Sequence, residues 1–150
     1  MGTRYKGSKK EVTVLDTFIK LTRAADTVTS KLNLTLSHNK MTISQFGILD
    51  AVYHLGPLTQ KELGEKILKS GGNITHVVDN LEKQGFVKRQ RGKNDRRNFE
   101  IHITAKGRNK FSKLLPVIVN LIKEQFNNLN NDELETIQEL CKKIGLKNDN

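Results

Sequence analysis

Cysteine occurs once in the chain, at Cys141, which rules out an internal disulfide and any Cys-x-x-Cys metal knuckle. The histidines are as sparse. His38, His54, His76 and His102 stand apart with neither HxxxH nor HExxH spacing, so no metal site is expected. No apolar run approaches the roughly 18 residues of a membrane span. The opening MGTRYKGSKK has no apolar leader core, and Lys6 breaks the myristoylation pattern. Also missing are GxSxG, a glycine-rich phosphate loop at a strand–helix junction, and a carboxylate pair set for acid–base work. These absences point away from enzymes, cofactor-bearing proteins and membrane proteins. They leave a soluble protein of the cytoplasm that needs no cofactor.

Acidic residues are the other shortfall. Against 26 Lys and Arg stand 16 Asp and Glu, for a formal net charge of +10. The excess is local: Phe86 to Lys113 holds ten basic residues and two acids, Asp95 and Glu100. Charge so concentrated fits a polyanion, with nucleic acid ahead of an anionic membrane. At 150 residues, 35% hydrophobic and 28% charged, the chain has the size and balance of one globular domain.

Residues 1–10 are polar and basic and read as a flexible arm. From Glu11 to about Leu36, Leu15, Phe18, Leu21, Ala25, Val28 and Leu32 recur at helical spacing and predict one long amphipathic helix. Three further helix starts carry capping pairs: Thr42 with Gln45, Thr59 with Glu62, and Asn130 with Glu133. They predict helices over 43–55, 60–68 and 131–145, and Gly56-Pro57 ends the first of these. In NITHVVDNLEKQG, Ile74, Val77, Val78 and Leu81 form one apolar stripe, closed by Gly85. FVKRQR and NFEIHIT then read as the two strands of a hairpin turning at GKND. Beyond Thr104, Phe111, Leu114, Ile118, Ile122 and Phe126 mark a long helix to about 127, which Pro116 should kink. The fold class is mainly α with a small β-wing. A winged helix-turn-helix (helices within 59–84, wing 86–103) is flanked by helices at 11–36, 105–127 and 131–145.

A helix-turn-helix followed at once by a basic hairpin has a physical logic on duplex DNA. The major groove admits a helix whose early residues reach base edges, and the adjacent minor groove attracts an inserted arginine. With the apolar stripe inward, Gly72, His76, Asp79 and Lys83 face outward, flanked by Asn73, Thr75 and Asn80. Asp79 would repel phosphate and is read as an orienting residue. Gly71-Gly72 allows close backbone approach, and free amides there favour phosphate. The candidate contact set is therefore Thr59, Gln60, Ser70, Gly72, Asn73, Thr75 and His76, with Arg89, Arg91, Lys93, Asp95, Arg96 and Arg97 from the wing. Phe99, Ile101 and Ile103, alternating with polar residues, are expected to anchor the hairpin in the core.

The stretch LTQKELGEKILKSGGNITHVVDNLEKQGFVKRQRGKNDRRNFEIHITAKG resembles the core of the MarR family of bacterial transcription regulators. DRR at 95–97, the alternating strand and ITAKG look like that family's wing signature, D-x-R and a strand ending LT-x-x-G. VVDNLEKQGFV looks like its recognition-helix ending, and the likeness spans nearly all of residues 11–146. The resemblance implies a homodimer joined through the helices at 11–36, 105–127 and 131–145, acting as a ligand-responsive repressor on a pseudo-palindromic operator. By position, Arg97 would be the minor-groove arginine, Asp95 its orienting partner, and Asn73, Thr75 and His76 would face the major groove. SGGN at 70–73 departs from the Ser-rich version common there, which leaves base preference open.

The same resemblance implies a small aromatic or anionic effector between dimer helices and DNA lobe, with Phe18, Tyr53 and His54 as pocket candidates. Cys141 shares the last helix's apolar stripe with Leu134, Ile137 and Ile144, whereas oxidant-sensing relatives carry their cysteine in the first helix. Its expected place is a buried interface. The rival reading is a non-enzymatic winged-helix adaptor binding RNA or protein. It would discriminate little between duplex sequences and would need no two-fold symmetry.

Overall fold

The computed structural model describes residues 1–67 and 74–145. Helix α1 (Lys9–His38) starts earlier than apolar periodicity alone indicates. The Ser8 hydroxyl accepts from the Glu11 amide, and the Glu11 carboxylate accepts from the Ser8 amide. This capping box, written S-K-K-E, shortens the expected ten-residue arm. The other caps lie where the sequence puts them. Thr42 opens α2 (Ile43–Leu55), Thr59 opens α3 (Gln60–Ile67), and Asn130 opens α6 (Asn131–Gly145), each exchanging hydrogen bonds with the Gln or Glu three residues on. Helix α4 (Ile74–Lys83) gives way at Gly85, whose φ of +79° is a conformation that side chains resist. Helix α5 (Ala105–Gln125) continues through Pro116, which removes one amide donor without ending it.

The wing has three strands rather than the expected two. β1 (Leu58–Thr59), β2 (Val87–Arg91) and β3 (Phe99–Ile103) form an antiparallel sheet in the order β1-β3-β2. Leu58 pairs with Ile101 and Thr59 with Glu100, while β2 pairs with β3 from Val87↔Ile103 to Arg91↔Phe99. At two residues β1 is too short to show a period, and Thr59 is also the cap of α3.

Ten side chains form the closed centre of the lobe: Leu36, Ile48, Leu49, Val52, Leu63, Leu81, Val78, Val87, Ile101 and Phe111. Phe111 reaches from α5 onto Phe46 and Tyr53 of α2, with ring centroids 5.2 and 4.8 Å away. Of the three hairpin anchors expected, Ile101 is fully buried and Ile103 packs partly against the core. Phe99 does not anchor. It is 49% exposed, because two strand residues carry it roughly 7 Å past the edge of the core. The Arg91 guanidinium lies over its ring instead, 5.4 Å from the centroid.

The segment ITAKG is the joint between wing and α5. Thr104 Oγ1 donates to the Gly85 carbonyl at 2.6 Å and accepts from the Gly107 amide at 3.0 Å. The Thr104 amide donates to the Phe86 carbonyl, and that oxygen would sit 2.0 Å from a Cβ placed on Gly107. Only a residue without a side chain lets the hairpin entry and the helix approach so closely.

Candidate nucleic-acid interface

On α4, Ile74, Val77, Val78 and Leu81 are buried, leaving Thr75 and His76 exposed and Asp79 and Asn80 half-buried. The Asn80 amide nitrogen lies 3.3 Å from His76 Nε2, one turn away along the same face. Ser70, Gly72 and Asn73, expected to contribute to this face, lie outside the described residues.

Asp95 organises the tip of the wing. Its Oδ1 accepts from the Arg97 amide at 2.9 Å, its Oδ2 lies 3.3 Å from Asn98 Nδ2, and its carbonyl accepts from the Asn98 amide. Asp95 therefore grips the backbone of Arg97 and leaves the guanidinium alone. Among the described residues, the side chains of Lys93, Arg96 and Arg97 have no protein partner. Arg91 is engaged, donating to the Arg96 carbonyl at 3.1 Å. Arg97 lines an open groove of about 370 Å³ together with Thr59, Gln60, Lys61, Asn98 and Phe99. The tip of the wing and the start of α3 thus share one concave surface.

Arg89 behaves unlike the other wing cations and turns toward the lobe, where its side chain is only 21% exposed. It meets Asp79 at 2.6 Å and Glu82 at 3.2 Å, both from α4. Its amide also donates to Glu82 at 2.9 Å, and its Nε and Nη2 donate to Gln60 Oε1 at 3.3 and 3.2 Å. The other end of the Gln60 amide donates to Thr75 Oγ1 at 2.9 Å. So β2, α3 and α4 are tied through five polar side chains. The sequence placed Arg89 among the DNA contacts by counting wing charges. The overlooked signal is that Asp79 and Glu82, three residues apart on one helix, share a side and attract a cation jointly.

Charge in this region also sits at the helix start. Hydrogen bonds from the Thr59 amide and hydroxyl hold the Glu62 carboxyl below the 4.5 of an ordinary glutamate. The Ser8 amide and hydroxyl do the same for Glu11 at α1.

The pocket candidates are only partly brought together. Tyr53 and His54 both meet Phe111, and the Arg108 guanidinium lies over Tyr53, 5.0 Å from its centroid. His54, with Nδ1 3.2 Å from the Asp50 carboxylate, lines a cavity of about 450 Å³ with Phe46, Ala51, Lys66 and Ile67. Tyr53 is not among its lining residues. Phe18 lies elsewhere, 61% exposed on α1 and in ring contact with neither. Cys141 is exposed in the single chain, beside an apolar groove of about 700 Å³ lined by Ile122, Phe126, Leu134 and Ile137. Among the described residues no helix is long and apolar enough to cross a membrane.

A helix-turn-helix whose second helix shares a face with a three-stranded basic wing defines a winged-helix DNA-binding protein. The MarR family model matches residues 41–99. The HTH-type transcriptional regulator MhqR of Bacillus subtilis is 32% identical over 132 residues, covering 88% of this chain and 91% of its own. A second regulator of that bacterium, YkoM, is 33% identical over 103 residues, or 69% of this chain and 67% of its own. A mutant MarR from E. coli, solved in complex with operator DNA, is similar at TM-score 0.72 and 30% identity, over 85% of this chain and 94% of that one. AbsC of Streptomyces coelicolor shares the fold at TM-score 0.84 and 18% identity, over 97% of each chain. The chain belongs to the MarR family, whose members are transcription regulators and not enzymes.

Proposed function

We propose that the chain is a homodimeric repressor of the cytoplasm that binds a pseudo-palindromic operator and responds to a small aromatic or anionic effector. The observation that carries the DNA reading is the free guanidinium of Arg97, its backbone gripped by Asp95. It opens on the groove that Gln60 also lines, and Gln60 reaches Thr75 on the exposed face of α4. A recognition helix in the major groove and an arginine in the neighbouring minor groove need such a shared surface. The operator complex of the E. coli relative supports the choice of duplex DNA.

Two-fold assembly is supported by apolar side chains that one copy leaves in solvent, among them Val14 and Phe18 of α1 and Ile137, Leu140 and Ile144 of α6. A self-complementary contact between copies would cover them. For the effector, the cavity beside His54 and Lys66 is the better candidate than a site at Phe18. It combines an aromatic wall with the Lys66 ammonium, the His54 ring and the Asp50 carboxylate, at about the lower end of ligand-pocket volumes. Selection of bound duplexes from a random library tests the proposal. An inverted repeat with half-sites about one helical turn apart is the expected product. Recovery of no enriched sequence would favour the adaptor reading instead.

A further inference from the structure

Phe99 is an apolar residue out of place. Among the described residues, the other exposed large hydrophobic side chains fall on the N-terminal segment, on α1, at Leu55, on α5 or on α6, all outside the helix-turn-helix and the wing. Phe99 alone is exposed within the basic lobe, at 49%. Alternation puts it on the same side of β3 as the buried Ile101, yet no core lies under it. The register that pairs Leu58 with Ile101 and Thr59 with Glu100 would bring Gln60 opposite Phe99, but Gln60 already starts α3. The strand stops one residue short, and Phe99 walls the groove of about 370 Å³ that opens there. Arg91 covers one face of the ring, with its guanidinium carbon 5.4 Å from the centroid, and is itself held by the Arg96 carbonyl. The rest of the lining includes two cations, Lys61 and Arg97, and no carboxylate.

We infer that Phe99 is a DNA-contacting residue: its ring packs on a deoxyribose in the wall of the minor groove that Arg97 enters. The inference deepens the regulator reading above and rests on it. A DNA strand offers the matching surface, since it sets the apolar C–H face of each sugar between anionic phosphates. Phosphate contacts alone would satisfy Lys61 and Arg97 but leave the ring in water, whereas a sugar takes its apolar area out of water. Every nucleotide carries the same sugar, so the contact adds affinity without reading sequence. It is also uncharged, and releases no counterions.

The test uses the full chain and the duplex enriched from a random library, with a panel of single base-pair substitutions in each half-site. The chain has no tryptophan, so Phe99→Trp places one reporter at the site. Its quenching by acrylamide, which is uncharged, should fall by about half or more when the duplex is bound. Phe99→Thr keeps a strand-forming residue and removes the ring. At an unchanged melting transition it should bind every duplex about five- to tenfold more weakly than the parent. That loss should be the same at low and high salt, whereas a lost phosphate contact lowers the log–log slope by about one. Phe99→Leu, which keeps apolar bulk, should recover most of the affinity. Parent-like binding by Phe99→Thr would overturn the inference. So would a slope lowered by about one, which would mean that the ring only places the Arg91 charge. A loss confined to one base pair would overturn it too, making Phe99 a base contact. Unchanged quenching of Phe99→Trp in the complex would do the same, and protection by benzoate instead would give the groove to a small aromatic acid. If Phe99→Trp no longer binds, the Thr and Leu variants decide. Each of these outcomes spares the regulator reading. Failure of the unmodified chain to enrich any duplex would overturn both.

Discussion

Two arginines eight residues apart on the same hairpin have opposite fates. Arg89 meets two carboxylates and an amide, while Arg97 is held only by its backbone, so its charge is available to a partner. Arg97→Ala is therefore expected to weaken binding to the enriched duplex by roughly 1–3 kcal/mol. The melting temperature should not move, since no intramolecular contact is lost, and an unchanged binding isotherm would contradict the minor-groove role. Lys93 is free at the same tip. Lys93→Ala should lower affinity evenly across sequences and cut the salt slope by about one, and a fixed slope would mean that it touches no phosphate. Gly107 decides between two opposed effects. Alanine in a helix gains about 1 kcal/mol over glycine, yet here its Cβ would lie 2.0 Å from the Phe86 carbonyl oxygen, a backbone atom already bonded to the Thr104 amide. Overpacking of this kind costs about 1–3 kcal/mol, and a contact this short belongs at the upper end. The denaturation midpoint of Gly107→Ala should fall, and a neutral or raised midpoint would refute the joint at ITAKG.

At the scale of the element, α3 depends on a charged cap. Glu62 has its carboxyl held below 4.5 by the Thr59 amide and hydroxyl, so folding favours the ionised form. For a depressed carboxyl the contribution is fully present above the unfolded value and disappears as pH falls through the folded one. Thermal midpoints of the unmodified chain and Glu62→Gln, compared from neutral pH to well below 4.5, should therefore converge on acidification. A gap that stays constant with pH would show that the charge adds nothing to the cap. Caps of this kind were legible in the sequence because they are chemistry between residues three apart, and Thr42, Thr59 and Asn130 start their helices as read. Ser8 with Glu11 obeyed the same rule but lay inside a basic stretch already read as an arm. β1 was illegible for a different reason, since two residues carry no period and Leu58–Thr59 pairs only with the distant Ile101 and Glu100. Alternation along β3 said which side Phe99 faces but not that the core ends short of it. The partners of Arg89 were illegible because they lie on other elements, and composition cannot say which cations a fold pairs internally.

For the molecule as a whole, the open apolar face of α6 is the feature a single copy leaves unexplained. Helix α6 buries none of its residues in one copy, and Ile137, Leu140 and Ile144 are 41%, 52% and 54% exposed. A 15-residue helix is marginal in water without tertiary cover, so an apolar face this open needs a partner. A second copy of the same chain would complete it, each buried Leu or Ile contributing about 1.5–3 kcal/mol when fully covered. The unmodified chain should then sediment at twice its 17.0 kDa at micromolar concentration, and Ile137→Glu should shift it toward the single chain. Binding to an inverted repeat makes the consequence measurable. Joined lobes engage the second half-site at an effective concentration that raises avidity by about 10²–10⁴ over one lobe. Ile137→Glu should therefore lose affinity for the full operator on that order yet keep the affinity of the parent for an isolated half-site. Arg97→Ala should do the reverse, remaining dimeric while losing affinity for both. Sedimentation of the unmodified chain as a 17.0 kDa particle, or an Ile137→Glu variant that binds the full operator as its parent does, would remove the two-fold model.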